Sequence, residues 1–508
     1  MITIHLDGER LEIGEGSTLK SILKDLVPGC SVAIIRPATK EQAKTGSLAI
    51  STTAGAVTVE LSGEYGGTFE SPALVLQLAL HWQDRYAAAF GPFPSPLRPD
   101  RKPHLYERGD VILGCGGYDP ARSYLIFAKS RHSADHGAGE SGGVIGTVVS
   151  GRGVLDRWSS GDRVTKIEPV ISWADTSRSF TTTDTDLILE DGMQVVTRAA
   201  IVAQGFSSGK ITTEAAGIVE HMLLALQSRK FVTDRATSTH IVDLRYAGTD
   251  VPKEHRHPRR EGAVTVRATG KAAGSIFIYR TDVPSSAAHS IAGQVVRGIE
   301  LVRLAKEHDV LSVTVEPGRI DLLGLPVPKA KEIASARGFT LVIDKDVGER
   351  IVVSQDPGTT LDVLAEKKAV ITTAPVDKVI DIELDDMHAP VSCGIFRRVT
   401  GLVEHDAGMM PAFLKFDDVV LFRPAIPTGF KINPENPPKE EAPAACLAIT
   451  NDSCKNAGLV GVRLSANREF GPTSEPFEGT NIIGRVIDTA KLKKIKEREN
   501  VYIREVRR

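Results

Sequence analysis

The chain has 508 residues, 41% of them hydrophobic, with 62 basic against 64 acidic side chains and a formal charge of −2. That length predicts several domains, each able to bury its own core, with a hydrophobic share ordinary for a globular chain. The charge balance excludes nucleic acid as the main partner, which needs a net basic surface.

The basic spots at His255–Arg260 and Arg504–Arg508 read as solvated faces. No apolar run approaches the ~20 residues that span a bilayer. The opening MITIHLDGERLEI alternates as a strand and lacks the blocks of a signal peptide, so a cytoplasmic chain with no membrane partner is expected. Five scattered cysteines, Cys30, Cys115, Cys393, Cys446 and Cys454, show no Cys-x-x-Cys spacing and signal neither a disulfide framework nor a zinc site.

In chain order, the Asp7-Gly8 turn predicts a hairpin. Ser17 or Thr18 opens a helix, TLKSILKDL, and VAIIRP, SLAI and VTVEL follow as strands. This order resembles the β-grasp (ubiquitin-like) fold, assigned to residues 1–56. Carrier members of that fold end in Gly-Gly; here Gly66-Gly67 is internal, so a docking module is expected. Residues 57–172 read as a first barrel, led by VTVEL, with SPALVLQLALHWQDRYAAAF as its helix and Pro72 in the first turn. Residues 173–323 hold a polar linker, two strands in LILEDGMQVVTRAAIVA, and a helix over 212–230 with Met222 in its core-facing row. A second barrel follows. Residues 324–377 read as a proline-led helix capped by Gly338, a strand, and IVVSQDPGTT turning at Asp-Pro-Gly, which resembles a PASTA module. Residues 378–508 form a third barrel carrying a Pro/Glu/Ala-rich insert, KINPENPPKEEAPAA, expected to be a mobile loop.

The three barrels are predicted from a repeat. Gly146, Gly293 and Gly484 each sit in a valine-bearing strand, followed by a short amphipathic helix and an alternating strand that ends on Glu168, Glu316 or Glu505, 22, 23 and 21 residues on. SYLIFAKS, GSIFIYRT and GLVGVRLS precede the three copies. YERGDVILG, RREGAVTVRATG and LKFDDVVLFRP precede those. The fold class is therefore mainly β with α+β parts: a β-grasp head, three barrels and a PASTA-like insert.

The repeat resembles the cyclophilin-like barrel, with Arg108-Gly109-Asp110-Val111-Ile112 matching the Gly-Asp-Val/Ile strand of its minimal members. Peptidyl-prolyl isomerisation lowers an amide barrier of ~18–20 kcal/mol and needs a proline pocket and a donor, normally arginine, aimed at the prolyl nitrogen. In cyclophilins that arginine lies in a Phe-His-Arg segment, which no copy contains; Arg131, Arg280 and Arg468 follow similar strands in another part of the fold. No catalytic residue is assigned. Cys115, in Leu113-Gly114-Cys115-Gly116-Gly117, stands near His132, Asp135, His136 and Glu140. That set reads either as a metal or iron–sulfur site or as a solvated glycine-rich loop. Cys446 and Cys454, eight apart, carry a similar signal. A Walker motif is absent from the sequence, and an ATPase, hydrolase or dehydrogenase is not expected.

Over its whole length, from DGERLEIGEGSTL through LGCGGYDPARSYLIFAKSRHSADHG and VSQDPGTT to FEGTNIIGRV, the chain resembles the methanogenesis marker protein 3 family. The resemblance implies an archaeal cytoplasmic protein whose partners are methyl-coenzyme M reductase and its activation proteins. It would act in the ATP-dependent complex that reduces the reductase's nickel cofactor, as a scaffold without a cofactor of its own. A prolyl isomerase or chaperone acting on the reductase, and an iron–sulfur redox subunit, are the alternative expectations.

Overall fold

Alternating apolar residues send every second side chain into a core, and strands accordingly dominate the chain. The computed structural model describes all residues except 24–25, 37–46, 63–71, 170–178, 208–209, 428–429 and 507–508. It divides into two units, Met1–Arg319 and Ile320–Arg508.

In the first unit, Ile2–Leu6 and Glu9–Ile13 pair through the Asp7-Gly8 turn, whose two residues have φ of 48° and 89°. A helix, Leu19–Ile22, and a strand, Val32–Ile35, follow. The remaining strands of this five-stranded sheet return from far along the chain. Phe180–Thr182 pairs with Val32–Ile35, and Gln194–Val196 lies between Val32–Ile35 and Ile2–Leu6, parallel to the latter. The first barrel is thus inserted into the N-terminal sheet. Ser47–Thr52 and Gly55–Leu61, expected to straddle the boundary at residue 56, form one barrel hairpin. The reason is burial: Leu48, Ile50, Val57 and Val59 fill the barrel core, while Leu189, Met193 and Val195 complete the N-terminal one. Gly66-Gly67 lies outside the described residues.

The helix expected over 71–90 is corrected as well. Only Pro72–Val75 is helical within it, and Leu80–Gln83 and Ala87–Phe93 are strands. Three alanines favour helix by propensity. Yet Ala87 to Phe90 are buried on both faces of a sheet and pair with Ser123–Ala128, and that packing overrides the propensity.

The third barrel is a closed ring: Val379–Leu384, Thr480–Val486, Cys446–Thr450, Val460–Arg463, Val419–Phe422, Ala407–Lys415 and Asn500–Glu505, the last parallel to the first. The second follows the same order with Ala199–Ala203, His289–Arg297, Ala263–Arg267, Ile276–Tyr279 and His240–Asp243; Val310–Glu316 runs parallel to Ala199–Ala203. Its remaining strand is broken, Lys230–Val232 pairing at one end of the sheet and Arg235–Ala236 at the other. The first barrel runs Gly55–Leu61, Val144–Ser150, Asp110–Cys115, Ser123–Ala128, Ala87–Phe93, Leu80–Gln83. It inserts Ser47–Thr52 before Val164–Pro169, and an Ala79–Arg163 bridge links the sheet's two ends.

This order moves one expected match. The counterpart of Asp110–Cys115 and Ala263–Arg267 in the third barrel is Cys446–Thr450, whereas LKFDDVVLFRP contributes Val419–Phe422, on the far side of Val460–Arg463. The Pro/Glu/Ala-rich insert separates the two. It is also anchored: Glu435 accepts from the backbone N–H of Val391 and Ser392 at 2.9 and 2.8 Å, capping the helix Pro390–Thr400, and Asn481 donates to the Asn433 carbonyl at 2.7 Å. Ile432 and Ala442 are buried.

The repeat glycines occupy one ladder position. Gly146, Gly293 and Gly484 stand opposite Leu61, Ala203 and Leu384, each beside a bulge in its ladder. A Cβ would come 2.4 Å from the Glu60 carbonyl oxygen, 2.9 Å from that of Val202 and 2.1 Å from that of Glu383. The short helices after them are 3-10 turns at Arg152–Asp156 and Lys491–Lys494 and an α-helix at Ile299–Leu304. Ahead of the third barrel, Thr340–Ile343, Lys368–Pro375 and Arg350–Asp356 form a sheet covered by helices Val327–Arg337, ended by Gly338 at φ 72°, and Thr360–Glu366, capped by Thr359. Among the described residues no helix is long and apolar enough to cross a membrane.

Gly484, at φ 152° and in contact with Glu383, is expected to tolerate no side chain. Gly484→Ala should lower stability by ~2 kcal/mol or more in urea titration, since strain and a clash with backbone combine. Gly394→Ala, in the helix Pro390–Thr400 with open space around it, should raise stability by ~0.5–1 kcal/mol. Equal effects at the two sites would remove the close-approach argument.

Candidate functional site

Barrel strands turn alternate side chains outward, and in the first barrel that outer face is buried. Ala87, Ala89, Ile112, Tyr124, Ile126 and Ala128 form an apolar cluster with Tyr106 and Ala138 from the segments that cover them. The cover is a two-stranded sheet, His104–Tyr106 with His132–Ala134.

The ring contacts converge on two histidines. His132 Nδ1–H donates to the Ser130 carbonyl at 2.8 Å, and its Nε2 lies 3.1 Å from His136 Nε2. Tyr106 lies 5.5 and 5.1 Å from the two rings, Tyr86 5.8 Å from His132, and Trp82 6.1 Å from His136. Burial, with His132 beside it, holds His136 down at about 4, so it is neutral near pH 7. Tyr106 is buried with its hydroxyl donating to the Gly142 carbonyl at 2.9 Å, and burial pushes its pKa up to about 12.

The other sequence candidates stand apart. Cys115 is buried, its Sγ–H donates to the Gly137 carbonyl at 2.9 Å, and burial pushes the thiol up, away from the reactive thiolate. Asp135 accepts from the Tyr118 hydroxyl and from the Gly137 N–H. Glu140 opens the 3-10 turn Glu140–Gly143. The structure thus pairs His132 with His136 and leaves Cys115 on a backbone carbonyl. Among the described residues no three His, Cys, Asp or Glu side chains converge as a metal site. Cys446 begins a strand and Cys454 follows its other end, separated by four strand rises of ~3.3 Å. The Cys446 thiol is buried and pushed up to about 11.

The outer faces of the other barrels add what sequence reasoning missed. In the second, Val242, Ala263, Phe277, Tyr279 and Ile291 cluster, and Arg259 lies over Tyr279 at 5.0 Å. Arg259 donates to the Tyr279 hydroxyl at 2.7 Å and to the Pro284 carbonyl at 2.9 Å. It belongs to a basic run read as a solvated face; the ring on the Ile276–Tyr279 strand draws it inward. His289 packs edge-on to Phe277 at 4.6 Å, and burial with Arg259 and Arg267 nearby holds it at about 4. In the third barrel Val419, Leu421 and Leu459 pack with Phe413 and Leu414, and Arg423 sits 3.7 Å over Phe413. Of the arginines weighed from sequence, Arg131 pairs with Glu107 at 2.9 Å and Arg468 with Glu441 at 3.2 Å, both at the surface. Arg280 donates to the carbonyls of Val302, Ala305 and Thr237, tying down the end of helix Ile299–Leu304.

A protein-family model described as "Putative peptidyl-prolyl cis-trans isomerase domain" matches residues 380–506, the closed third barrel. Over full length the chain is 36% identical to a UPF0288 protein of Methanosarcina barkeri, covering 99% of this chain and 98% of the relative. It is 32% identical to a UPF0288 protein of Methanothermobacter thermautotrophicus, covering 99% and 98%. A solved Enterococcus faecalis protein of unknown function is similar over 24% of this chain and 30% of its own, at 12% identity and a TM-score of 0.18.

His136 and His289 set a pH dependence. Their folded pKa values lie below the ordinary 6.5. Between 6.5 and about 4 the unfolded chain therefore binds protons that the folded one refuses, and stability falls as pH falls. Trp82 and Trp158 lie in the first unit and residues 320–508 hold no tryptophan, so tryptophan fluorescence follows the unfolding of the first unit. The urea midpoint should drop across that window, and the double variant His136→Gln, His289→Gln should flatten the drop; an unchanged slope would count against the assignment.

Proposed function

Because the chain belongs to the UPF0288 family, whose compared members come from methanogenic archaea, we propose that it is a non-catalytic assembly subunit. It holds methyl-coenzyme M reductase together with the proteins that activate it in an ATP-dependent complex. The observation that carries this reading is the state of the outer barrel faces. In the first barrel the face is filled by the chain's own Tyr106 and Ala138, and in the second Arg259 is spent on Tyr279 and Pro284. The groups fit for acid–base or nucleophilic work are held neutral or hydrogen-bonded to backbone: His136, His289 and Cys115. Such faces favour work done by surfaces. The second unit leaves Met387, Val391, Phe416 and Phe470 exposed for contact with other proteins.

A second reading, a prolyl isomerase or chaperone acting on the reductase, is favoured by the family match at 380–506. There Arg423 over Phe413 offers a cation beside an outward ring, with Met409 exposed on the same strand. An iron–sulfur role would need ligands beyond Cys115, His132 and His136.

Tagged full-length protein expressed in a methanogen should co-purify with the reductase and its activation proteins, and removing residues 378–508 should abolish reductase activation in extract. Activation that survives the truncation at full rate would end the assembly reading. In a proline-peptide isomerisation assay the chain is expected to show no acceleration; turnover that falls in Arg423→Ala would install the isomerase in its place.

A further inference from the structure

The first two barrels meet along a cleft that neither repeat explains. Its volume is about 340 Å³, and it is walled by the Thr53–Gly55 turn and Arg157 of the first barrel and by Ile201, Phe206 and Thr314 of the second. That size is in the range of small-molecule sites, which are apolar clefts with a few placed polar groups.

Arg157 is the unusual member. It follows the 3-10 turn Arg152–Asp156, and its one hydrogen bond among the described residues runs from Nη2 to the Phe206 carbonyl at 3.2 Å. Its Nε is buried without an acceptor. Burial holds the guanidinium down at about 10, with Asp162 only partly offsetting the loss of water. Asp162 also lines the cleft, but its carboxylate is occupied: it accepts from the Thr53 hydroxyl at 2.5 Å and from the Ser159 N–H at 2.7 Å. The neighbouring arginines differ. Arg108 pairs with Asp156 at 2.9 Å and Arg260 with Asp282 at 3.2 Å, whereas Arg157 forms no ion pair among the described residues. A charged donor held out of water without an acceptor is destabilised, and a matching acceptor relieves that cost.

The charges on the wall narrow the class. Arg157 and Arg297 face Asp162 and Glu316, a balance of zero that disfavours a polyanion. Ala54, Ile201, Val202, Phe206 and Val296 give the remainder an apolar surface. We propose that this cleft binds a small monocarboxylate with a short apolar body, its carboxylate seated on the Arg157 guanidinium and its chain against Ile201 and Phe206. The guanidinium fork matches a carboxylate in plane and spacing.

The test uses the full-length chain with hexanoate as probe and hexylamine and inorganic phosphate as comparators, read by saturation-transfer NMR and thermal shift. Hexanoate should bind saturably and raise the melting temperature, while hexylamine and phosphate do neither. Arg157→Gln should weaken hexanoate about tenfold or more, the loss of ~1.4 kcal/mol or more that one charge-assisted contact represents. Since Arg157 also holds the Phe206 carbonyl, Thr314→Phe, which fills the cleft and leaves the guanidinium intact, should abolish binding as well. Hexanoate binding equally to both variants, equal binding of hexylamine, displacement of hexanoate by phosphate, or no saturable binding by the parent chain would each overturn the proposal.

Discussion

The barrels depend on a contact in which only a hydrogen atom fits. At Gly146, Gly293 and Gly484 the strand presses onto a carbonyl of the neighbouring strand, with 2.1 to 2.9 Å left for any Cβ. A bulge adjoins each contact. A bulge adds one residue to one side of a ladder, bends that strand and raises its twist, which lets an open sheet curl until its ends meet. The curl is complete in the third barrel. In the second it is interrupted between Lys230–Val232 and Arg235–Ala236, and in the first it is bridged at Ala79–Arg163.

A curled sheet has an inside and an outside, and this chain buries part of both. The inner faces hold ordinary apolar cores, with Phe90, Phe127 and Trp158 packed edge to face at 4.9 to 5.8 Å in the first barrel. The outer face of the first barrel is covered by the sheet His104–Tyr106 with His132–Ala134, that of the second is met by Arg259, and in the third Phe413 and Leu414 pack beside Val419 and Leu421. Each cover differs in content: a histidine pair under tyrosines, an arginine over a tyrosine, an arginine over a phenylalanine. One scaffold therefore carries three outer faces of different content.

Insertion of the first barrel between Val32–Ile35 and Phe180–Thr182 ties both its ends to one sheet. The junction with the second barrel is then held by Arg303, which donates to the Val149 carbonyl and pairs with Glu261, and by Gly153, where a Cβ would meet Gln294 and the Glu261 carbonyl. Buried ion pairs are costly to assemble and costly to break, so they set orientation more than they add stability. The cleft beside Arg157 lies within that junction.

Much of this was legible along the chain because it is local. The Asp7-Gly8 turn, the cap at Gly338 and the spacing of the three repeat glycines follow from backbone angles and from the period of buried side chains, which neighbours in sequence set among themselves. The pairing of Ile2–Leu6 with Gln194–Val196, the strand in place of a helix at Ala87–Phe93, and the anchoring of the insert by Glu435 were not legible. Nor was the place of Arg259 over Tyr279, since a basic run on paper looks the same whether solvent or a ring receives it. Periodicity tells which side chains are buried; it does not tell against what. That choice belongs to the tertiary structure, because a strand's partner and a cation's ring are selected by the surface they jointly remove from water, and those surfaces come from segments far apart in the chain.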